Sequence, residues 1–410
     1  MTFYKKNKLI IIGGLMVVIA VAVLYIFYGH FISGANYDYV LLGATTTPVY
    51  KPVNIHLKTP SSVKGLYLTA CAASTPSLRN HVLKLITDTE LNAVVVDLKD
   101  YTGTVAFPTK DLGLQNKAAG GCTIPNLPEL ITEWHQQGVY IIGRVTVFQD
   151  PYYAKKHPEL AVKKADNVTV WRDKKGLSFI DVGAKPYWDY IVSLSKEAYN
   201  LGVDELNFDY VRFPSDGNMQ DIAFTWSQSK SKPVVLEEFF KYLHEELKPT
   251  GAVLSADLFG MTTTNINDLN IGQVLERALP YFDYVDPMVY PSHYPPQFND
   301  WANPNEHPYD LIYLVLKEGA RRAVATSTPI EAFTHQRLGT STPALYRKPI
   351  YKANKIRPWL QDFDYGGTYG VSEVQAQIKA TYDAGLNSWL IWDPANKYTP
   401  AAYKPISLPQ

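Results

Sequence analysis

Eight short apolar runs, each separated from the next by a stretch of helical length and amphipathic spacing, predict an α/β protein of the (β/α)8 or TIM-barrel class over residues 64–400. Two further observations point the same way. Polar residues collect where the runs end, as they do at the working rim of such barrels. The structural competitor, a doubly wound open sheet, is marked by a glycine-rich turn after its first strand. Here Cys71-Ala72-Ala73-Ser74 follows instead, so dinucleotide binding loses its main support.

Taken in order, residues 65–70, 93–100, 139–148, 205–213, 253–260, 284–290, 356–363 and 388–393 are expected as strands. Helices are expected over 77–87, 127–137, 187–201, 234–247, 271–279, 309–321 and 371–384. The lower part of each strand reads as apolar on both faces, which suits strands buried between helices and a barrel interior. The third strand-to-helix connection, 149–184, is unusually long. It carries a hairpin signal, with 160–163 and 168–171 flanking Asp166-Asn167.

Ahead of the barrel, Lys5, Lys6 and Lys8 precede an uncharged apolar stretch over 9–28, long enough to cross a bilayer as one helix. The positive-inside rule puts residues 1–8 in the cytoplasm and everything beyond His30 on the other side. The expected arrangement is a single-pass cell-membrane protein with an extracytoplasmic linker over 29–63, the barrel over 64–400 and a tail over 401–410. Cleavage near Ser33-Gly34-Ala35, as after a signal peptide, is the alternative. In an oxidising compartment Cys71 and Cys122, both in loops at one end of the barrel, either form a disulfide or remain free thiols. Formal net charge is zero, so nothing suggests the basic field that binds nucleic acid; the oligomeric state is not legible.

Strand two ends with Asp97 and Lys99, strand three carries Arg144 and Thr146, strand four Asn207 and Asp209, strand five Ser255 and Asp257, strand six Asp286 and Tyr290. Alternation predicts that each pair shares a face. Buried carboxylates need one another, a cation or water, and Lys99, Arg144 or Arg212 can supply the cation. The bland alternative is a structural ion network of Asp97, Lys99, Arg144 and Asp209. Glycoside hydrolysis, by contrast, needs two carboxyl groups, one ionised and one protonated. Asp209 is the expected nucleophile, with Asp257 first and Asp286 second for the acid/base role. The same rim is aromatic, with Tyr290, Trp359 and Trp392 among its residues, and flat rings beside hydrogen-bonding groups suit sugars. His293 could join Asp286 on a metal, but a lone His in a Pro-rich loop more often bonds at the surface. No His-Glu-x-x-His, Cys-x-x-Cys, P-loop or Gly-x-Ser-x-Gly motif is present, and neither metal nor cofactor is expected.

At Val95-Val96-Asp97-Leu98-Lys99-Asp100, Asn207-Phe208-Asp209-Tyr210-Val211-Arg212-Phe213-Pro214, Ser255-Ala256-Asp257-Leu258-Phe259-Gly260 and Asp286-Pro287-Met288-Val289-Tyr290-Pro291-Ser292 the sequence resembles the putative glycosyl hydrolase domain family. The resemblance covers about residues 64–395 and implies a barrel distantly similar to the alpha-amylase and alpha-galactosidase groups. In those groups the nucleophile is an aspartate at the end of strand four, where Asp209 stands. The second carboxylate departs from the pattern: amylase-like enzymes have a glutamate on strand five where this chain has Asp257, and alpha-galactosidase-like enzymes an aspartate on strand six, where Asp286 is available. The amylase-type arginine two residues before the nucleophile is replaced by Asn207.

The resulting expectation is a membrane-anchored, retaining glycoside hydrolase acting on cell-surface or extracellular polysaccharide. Its substrate would be held by Asp97, Lys99, Arg144, Asn207, Arg212, Tyr290, His293 and Trp392. The second expectation, from another class, is a catalytically silent barrel that binds envelope polysaccharide or scaffolds envelope proteins.

Overall fold

A computed structural model describes residues 56–340 and 342–405. The expected cytoplasmic segment, membrane helix and most of the linker lie outside the described residues, as does the end of the tail. Among the described residues no helix is long and apolar enough to cross a membrane.

Eleven strands are described: β1 (Lys64–Leu68), β2 (Ala93–Lys99), β3 (Tyr140–Thr146), β4 (Glu205–Asp209), β5 (Val253–Phe259), β6 (Tyr284–Met288), β7 (Ser327–Thr328), β8 (Gln336–Leu338), β9 (Leu345–Arg347), β10 (Trp359–Gln361) and β11 (Trp389–Trp392). Eight of them close into a parallel barrel in the order β1-β11-β10-β6-β5-β4-β3-β2. The other three, β7, β9 and β8, form a small antiparallel sheet between the sixth crossover helix and β10, a region where no strand was expected. The crossover helices include α2 (Pro76–Asp88), α3 (Leu127–Gln136), α5 (Lys185–Asn200), α6 (Lys232–Leu247), α8 (Pro308–Val324) and α9 (Val371–Asp383). Shorter helices are α1 (Ala70–Ser74), α4 (Pro151–Lys156) and α7 (Leu275–Ala278). Five of the long helices carry proline in their first turn, where its missing N–H has no partner to lose.

Period-two alternation sorts each strand. On β2, Val94, Val96 and Leu98 join the core under the helices, while Ala93 and Val95 pack in the barrel interior with Tyr67, Tyr140 and Ile142. The interior is not apolar to the bottom, however: Glu205, Asn207, Ser255, Asp286 and Arg357 are all buried there. The expectation of apolar lower strands fails because the charged members of this set pair with one another, as described below.

Alternation fails at one place that matters. The β2–β3 register shifts between Asp97 and Lys99, Asp97 pairing with Arg144 and Lys99 with Val145, so a bulge at Leu98 separates two residues expected on one face. Lys99 consequently lies on the helix side. Its Nζ donates to the Thr146 carbonyl at 2.7 Å and pairs with Asp150 at 2.9 Å, both side chains wholly buried.

Residues at both ends of the barrel segment pack onto it. Leu57 N donates to Asp204 Oδ1 at 2.6 Å, and Val63, in the expected linker, is buried in the barrel interior. In the expected tail, Tyr403 donates to Asp362 at 3.0 Å. The hairpin in the connection after β3 is present in outline. Lys163 bridges Val170, Asn167 makes the turn in the left-handed region, and Val162, Trp171 and Phe179 form a small core of their own. Cys71, in α1, and Cys122, in the loop after β2, form a disulfide with their Cα atoms 5.0 Å apart.

Candidate active site

At the C-terminal ends of the strands a cleft of about 370 Å3 opens. Its charged lining is Arg144, Asp209, Arg212 and Asp257, and its aromatic lining includes Tyr210, Tyr290, Trp359 and Trp392.

Arg144 organises the floor. Its guanidinium donates to Asp97 Oδ1 at 2.6 Å and, through Nε at 3.1 Å and through Nη2, to Asp209 Oδ2. The same Nε lies 4.0 Å from Asp257 Oδ2. The Asp209 and Asp257 oxygens therefore stand no farther apart than those two distances laid end to end, about 7 Å. Asp97 also accepts from the Tyr67 hydroxyl at 2.5 Å, and Tyr67 stacks on Trp392 with ring centroids 3.8 Å apart. Arg144 sits against both rings, 5.1 Å from the Trp392 centroid and 5.6 Å from that of Tyr67.

Asp209 and Asp257 differ in what they bond. Asp209 is ion-paired through Oδ2, and its Oδ1 accepts from the Tyr210 amide at 2.5 Å. That amide is aimed by a left-handed backbone at Tyr210, φ +51°, a conformation uncommon for a bulky residue. Asp257 Oδ1 accepts from two neutral donors, Trp359 Nε1 at 2.7 Å and Asn207 Nδ2 at 2.9 Å. Its Oδ2 has no hydrogen bond among the described residues. Burial, reinforced by the negative charges of Asp209 and Asp286, pushes the Asp257 carboxyl well above the usual carboxylate range, against the opposing pull of Arg144. Burial and the same pair, Asp257 and Asp209, hold the Tyr290 phenol neutral well beyond its ordinary range.

Beneath the cleft lies a second set. Arg357 donates to Asp286 Oδ1 at 3.1 Å and Oδ2 at 2.6 Å, and to Glu205 at 2.5 and 3.2 Å, with all three side chains wholly buried. Ser255 donates to Glu205 at 2.6 Å. Asp286 does not line the cleft. Burial raises its carboxyl to about 7, against the pull of Arg357 and with the help of the neighbouring Glu205. Asn207 joins the two sets, its Nδ2 lying 2.9 Å from Asp257 and 3.3 Å from Asp286.

The structure thus brings Arg144, Asp209, Arg212, Asp257, Tyr290, His293 and Trp392 to one cleft. Asp97 and Asn207 stand behind it as partners of lining residues. Lys99 is not brought there, because the bulge turns it to the helix side. Asp286 is sealed below, away from His293, which is at the rim with Nδ1 2.9 Å from the Ser292 hydroxyl. Among the described residues no group of three or more His, Cys, Asp or Glu side chains converges as a metal site requires. Residues the sequence did not single out are Glu205, Arg357 and Tyr67. A signal existed for Arg357: an arginine inside an apolar run, two residues before Trp359 and so on the same face, calls for a buried carboxylate partner.

Solved structures are similar to this barrel. The glycoside hydrolase domain of PgaB (BpsB) from Bordetella bronchiseptica has a TM-score of 0.56 at 13% identity, over 84% of this chain and 99% of that one. Alpha-L-fucosidase isoenzyme 2 from Paenibacillus thiaminolyticus has a TM-score of 0.53 at 11% identity, over 83% of this chain and 47% of that one. At these identities the likeness is one of fold. A hypothetical protein from Ruminiclostridium thermocellum is 34% identical over 47% of this chain and 96% of its own, with a TM-score of 0.43. No curated protein matches the sequence. Residues 65–398, which contain all four strand-end motifs and every charged group of the cleft, match the model of the putative glycosyl hydrolase domain, and the chain belongs to that family.

Proposed function

We propose that the protein is a retaining glycoside hydrolase in which Asp209 is the nucleophile and Asp257 the general acid/base. The observation that carries this reading is the contrast between two carboxyls in one cleft: Asp209 is hydrogen-bonded and ion-paired to Arg144, while Asp257 takes its hydrogen bonds from neutral donors, has Arg144 no nearer than 4.0 Å and is favoured in its protonated form. Their separation of at most about 7 Å suits a pair flanking one glycosidic bond.

In this mechanism an Asp209 oxygen attacks the anomeric carbon as the glycosidic C–O bond breaks, and the Asp257 proton passes to the leaving oxygen. Asp257, now a carboxylate, takes a proton from water. The resulting hydroxide displaces Asp209 from the sugar, restoring both carboxyls. Arg144 holds the nucleophile in place, and Trp392, Tyr290 and Tyr210 offer ring faces to the sugar. Asp286, bidentate on Arg357 and outside the cleft, is poorly placed to reach the same bond.

The substrate in this reading is a cell-surface or extracellular polysaccharide, with the barrel held outside the cytoplasm by a membrane helix over 9–28. The disulfide between Cys71 and Cys122 supports that side of the membrane, since such bonds persist in oxidising compartments. The full-length protein should release reducing sugar from a member of a broad glycan panel, and Asp209→Asn should abolish the release. Activity unchanged in that variant overturns the assignment. Binding without turnover that survives Asp209→Asn supports the catalytically silent barrel instead.

A further inference from the structure

We propose that the cleft takes a negatively charged glycan, whose carboxylate or phosphate group is received by Arg212; this deepens the hydrolase reading and rests on the cleft being a sugar site. Four arginines of the described residues are buried, and each is matched by acid. Arg144 pairs with Asp97 and Asp209, Arg277 with Glu237, Arg322 with Glu276, and Arg357 with Glu205 and Asp286. Arg212 lines the cleft and forms no ion pair among the described residues. Its guanidinium is framed by the rings of Tyr210, Phe259 and Phe179, at 5.2, 5.1 and 5.9 Å from their centroids. Nη1 donates to the Phe213 carbonyl at 3.1 Å and the Ser215 hydroxyl at 3.3 Å. Nε and Nη2 have no hydrogen-bond partner among the described residues, and the side chain to which they belong lines the cleft.

A guanidinium held this way has a specific use. Its planar fork receives a carboxylate or phosphate through two parallel bonds, and the three rings fix its plane before the ligand arrives. The carboxylates that act on it, those of Asp209, Asp173 and Asp216, do so beyond ion-pair distance. Burial also presses its pKa downward, so an incoming anion would relieve a cost the fold now bears. Charge balance in the cleft points the same way. Arg144 is occupied by Asp97 and Asp209, so a substrate anion approaching Asp209 meets repulsion unless another cation offsets it. Arg212, on the turn just past Asp209 that the left-handed Tyr210 creates, is the lining cation left to do so.

The test is binding of oligosaccharide pairs to the full-length protein by titration calorimetry. Oligogalacturonate, oligomannuronate and hyaluronan oligomers are each compared with the same oligomer after its carboxyls are reduced to alcohols, and a glycerol-phosphate-substituted glycan is added as the phosphate arm. The expected result is at least about tenfold tighter binding of a charged oligomer than of its reduced form. That preference should weaken with salt, vanish in Arg212→Gln and partly survive in Arg212→Lys, with the melting temperature of each variant near that of the unaltered protein. A preference confined to the phosphate arm, with the same dependence on Arg212, supports the proposal and names phosphate as the anion. Equal affinity for charged and reduced forms, a preference that survives Arg212→Gln, or no binding of any charged oligomer overturns it. Turnover is not read in these arms, so failure of the hydrolase reading leaves the test standing.

Discussion

Arg144 and Arg357 sit one above the other in the barrel interior, and each bonds two carboxylates, Arg144 those of the strands on either side of its own and Arg357 one from β6 and one reaching across from β4. What surrounds them differs. The upper set opens on a cleft walled by aromatic rings, and the carboxyl beside it, Asp257, keeps one oxygen without a hydrogen bond among the described residues. The lower set is sealed, with Arg357, Glu205 and Asp286 all wholly buried and Ser255 and Asn207 meeting the remaining acceptor sites. The same chemistry therefore serves two ends. Where the charged groups are paired and buried, removing one partner leaves an uncompensated buried charge; where an oxygen faces open space, the group is available to a substrate.

This contrast can be broken from either side. Asp209→Asn removes the nucleophile while keeping the shape, so kcat/KM should fall by at least about 10^3-fold with the denaturation midpoint little changed. Arg357→Met should do the reverse. It leaves Glu205 and Asp286 facing each other without a cation and should cost about 3–5 kcal/mol of stability, read as a shifted urea midpoint, with activity lost only in proportion to the unfolded fraction. If Arg357→Met folds normally but is inactive, the lower set belongs to the site. The sealed set also has a pH signature. The Asp286 carboxyl is raised from an ordinary 3.8 to about 7, so the folded protein holds that proton more tightly than the unfolded chain does. Its contribution to stability is complete below about pH 4 and is lost as pH rises through 7; unfolding free energy measured from pH 5 to pH 8 should decline.

Asp257→Asn sharpens the comparison because it separates the two roles of one residue. Asn keeps an oxygen to accept from Trp359 and Asn207, so the fold should hold, while proton donation is lost. A loss of about 10^2 to 10^4-fold in kcat/KM is expected on substrates with poor leaving groups. In the unaltered protein the acid must be protonated to work, so the rate should fall as pH rises through the elevated pKa of Asp257. That alkaline limb should be absent in the variant. A limb that persists unchanged assigns it to another group.

Much of this was legible in the sequence, for physical reasons that also mark its limits. Strand and helix positions follow from period: the expected helix at 127–137 is observed as Leu127–Gln136, and that at 234–247 as Lys232–Leu247. Arg144, Asn207, Asp209 and Asp257 could be placed on an inward face because β3, β4 and β5 alternate without interruption. Lys99 could not, since one bulged residue reverses a side chain and nothing in Asp97-Leu98-Lys99 announces it. Arg357 and Glu205 meet across 152 residues of sequence, and such a pairing is fixed by barrel closure, which no local pattern encodes. Choosing between Asp257 and Asp286 likewise needed the depth of each in the barrel. That depth depends on strand stagger; in sequence the two are simply aspartates on adjacent strands, and in the sheet they are paired neighbours.

The smallest expected effect concerns Tyr210, where upper and lower sets differ in backbone as well as in solvent. A left-handed backbone at a bulky residue costs roughly 1–2 kcal/mol, and nothing in the sealed set carries such a cost. The turn it makes aims the Tyr210 amide at Asp209 Oδ1 and places Arg212 beside the cleft, with the Tyr210 ring 5.2 Å from the guanidinium. If the conformation is kept for the site, a residue that adopts it more readily should not harm the fold. Tyr210→Asn should leave the melting temperature unchanged or slightly raised, because Asn tolerates the left-handed region, while kcat/KM falls about tenfold with the loss of the ring that braces Arg212. A loss of more than about 2 kcal/mol in stability would show instead that the Tyr210 ring is held for packing, and that the left-handed turn follows from the core rather than serving the cleft.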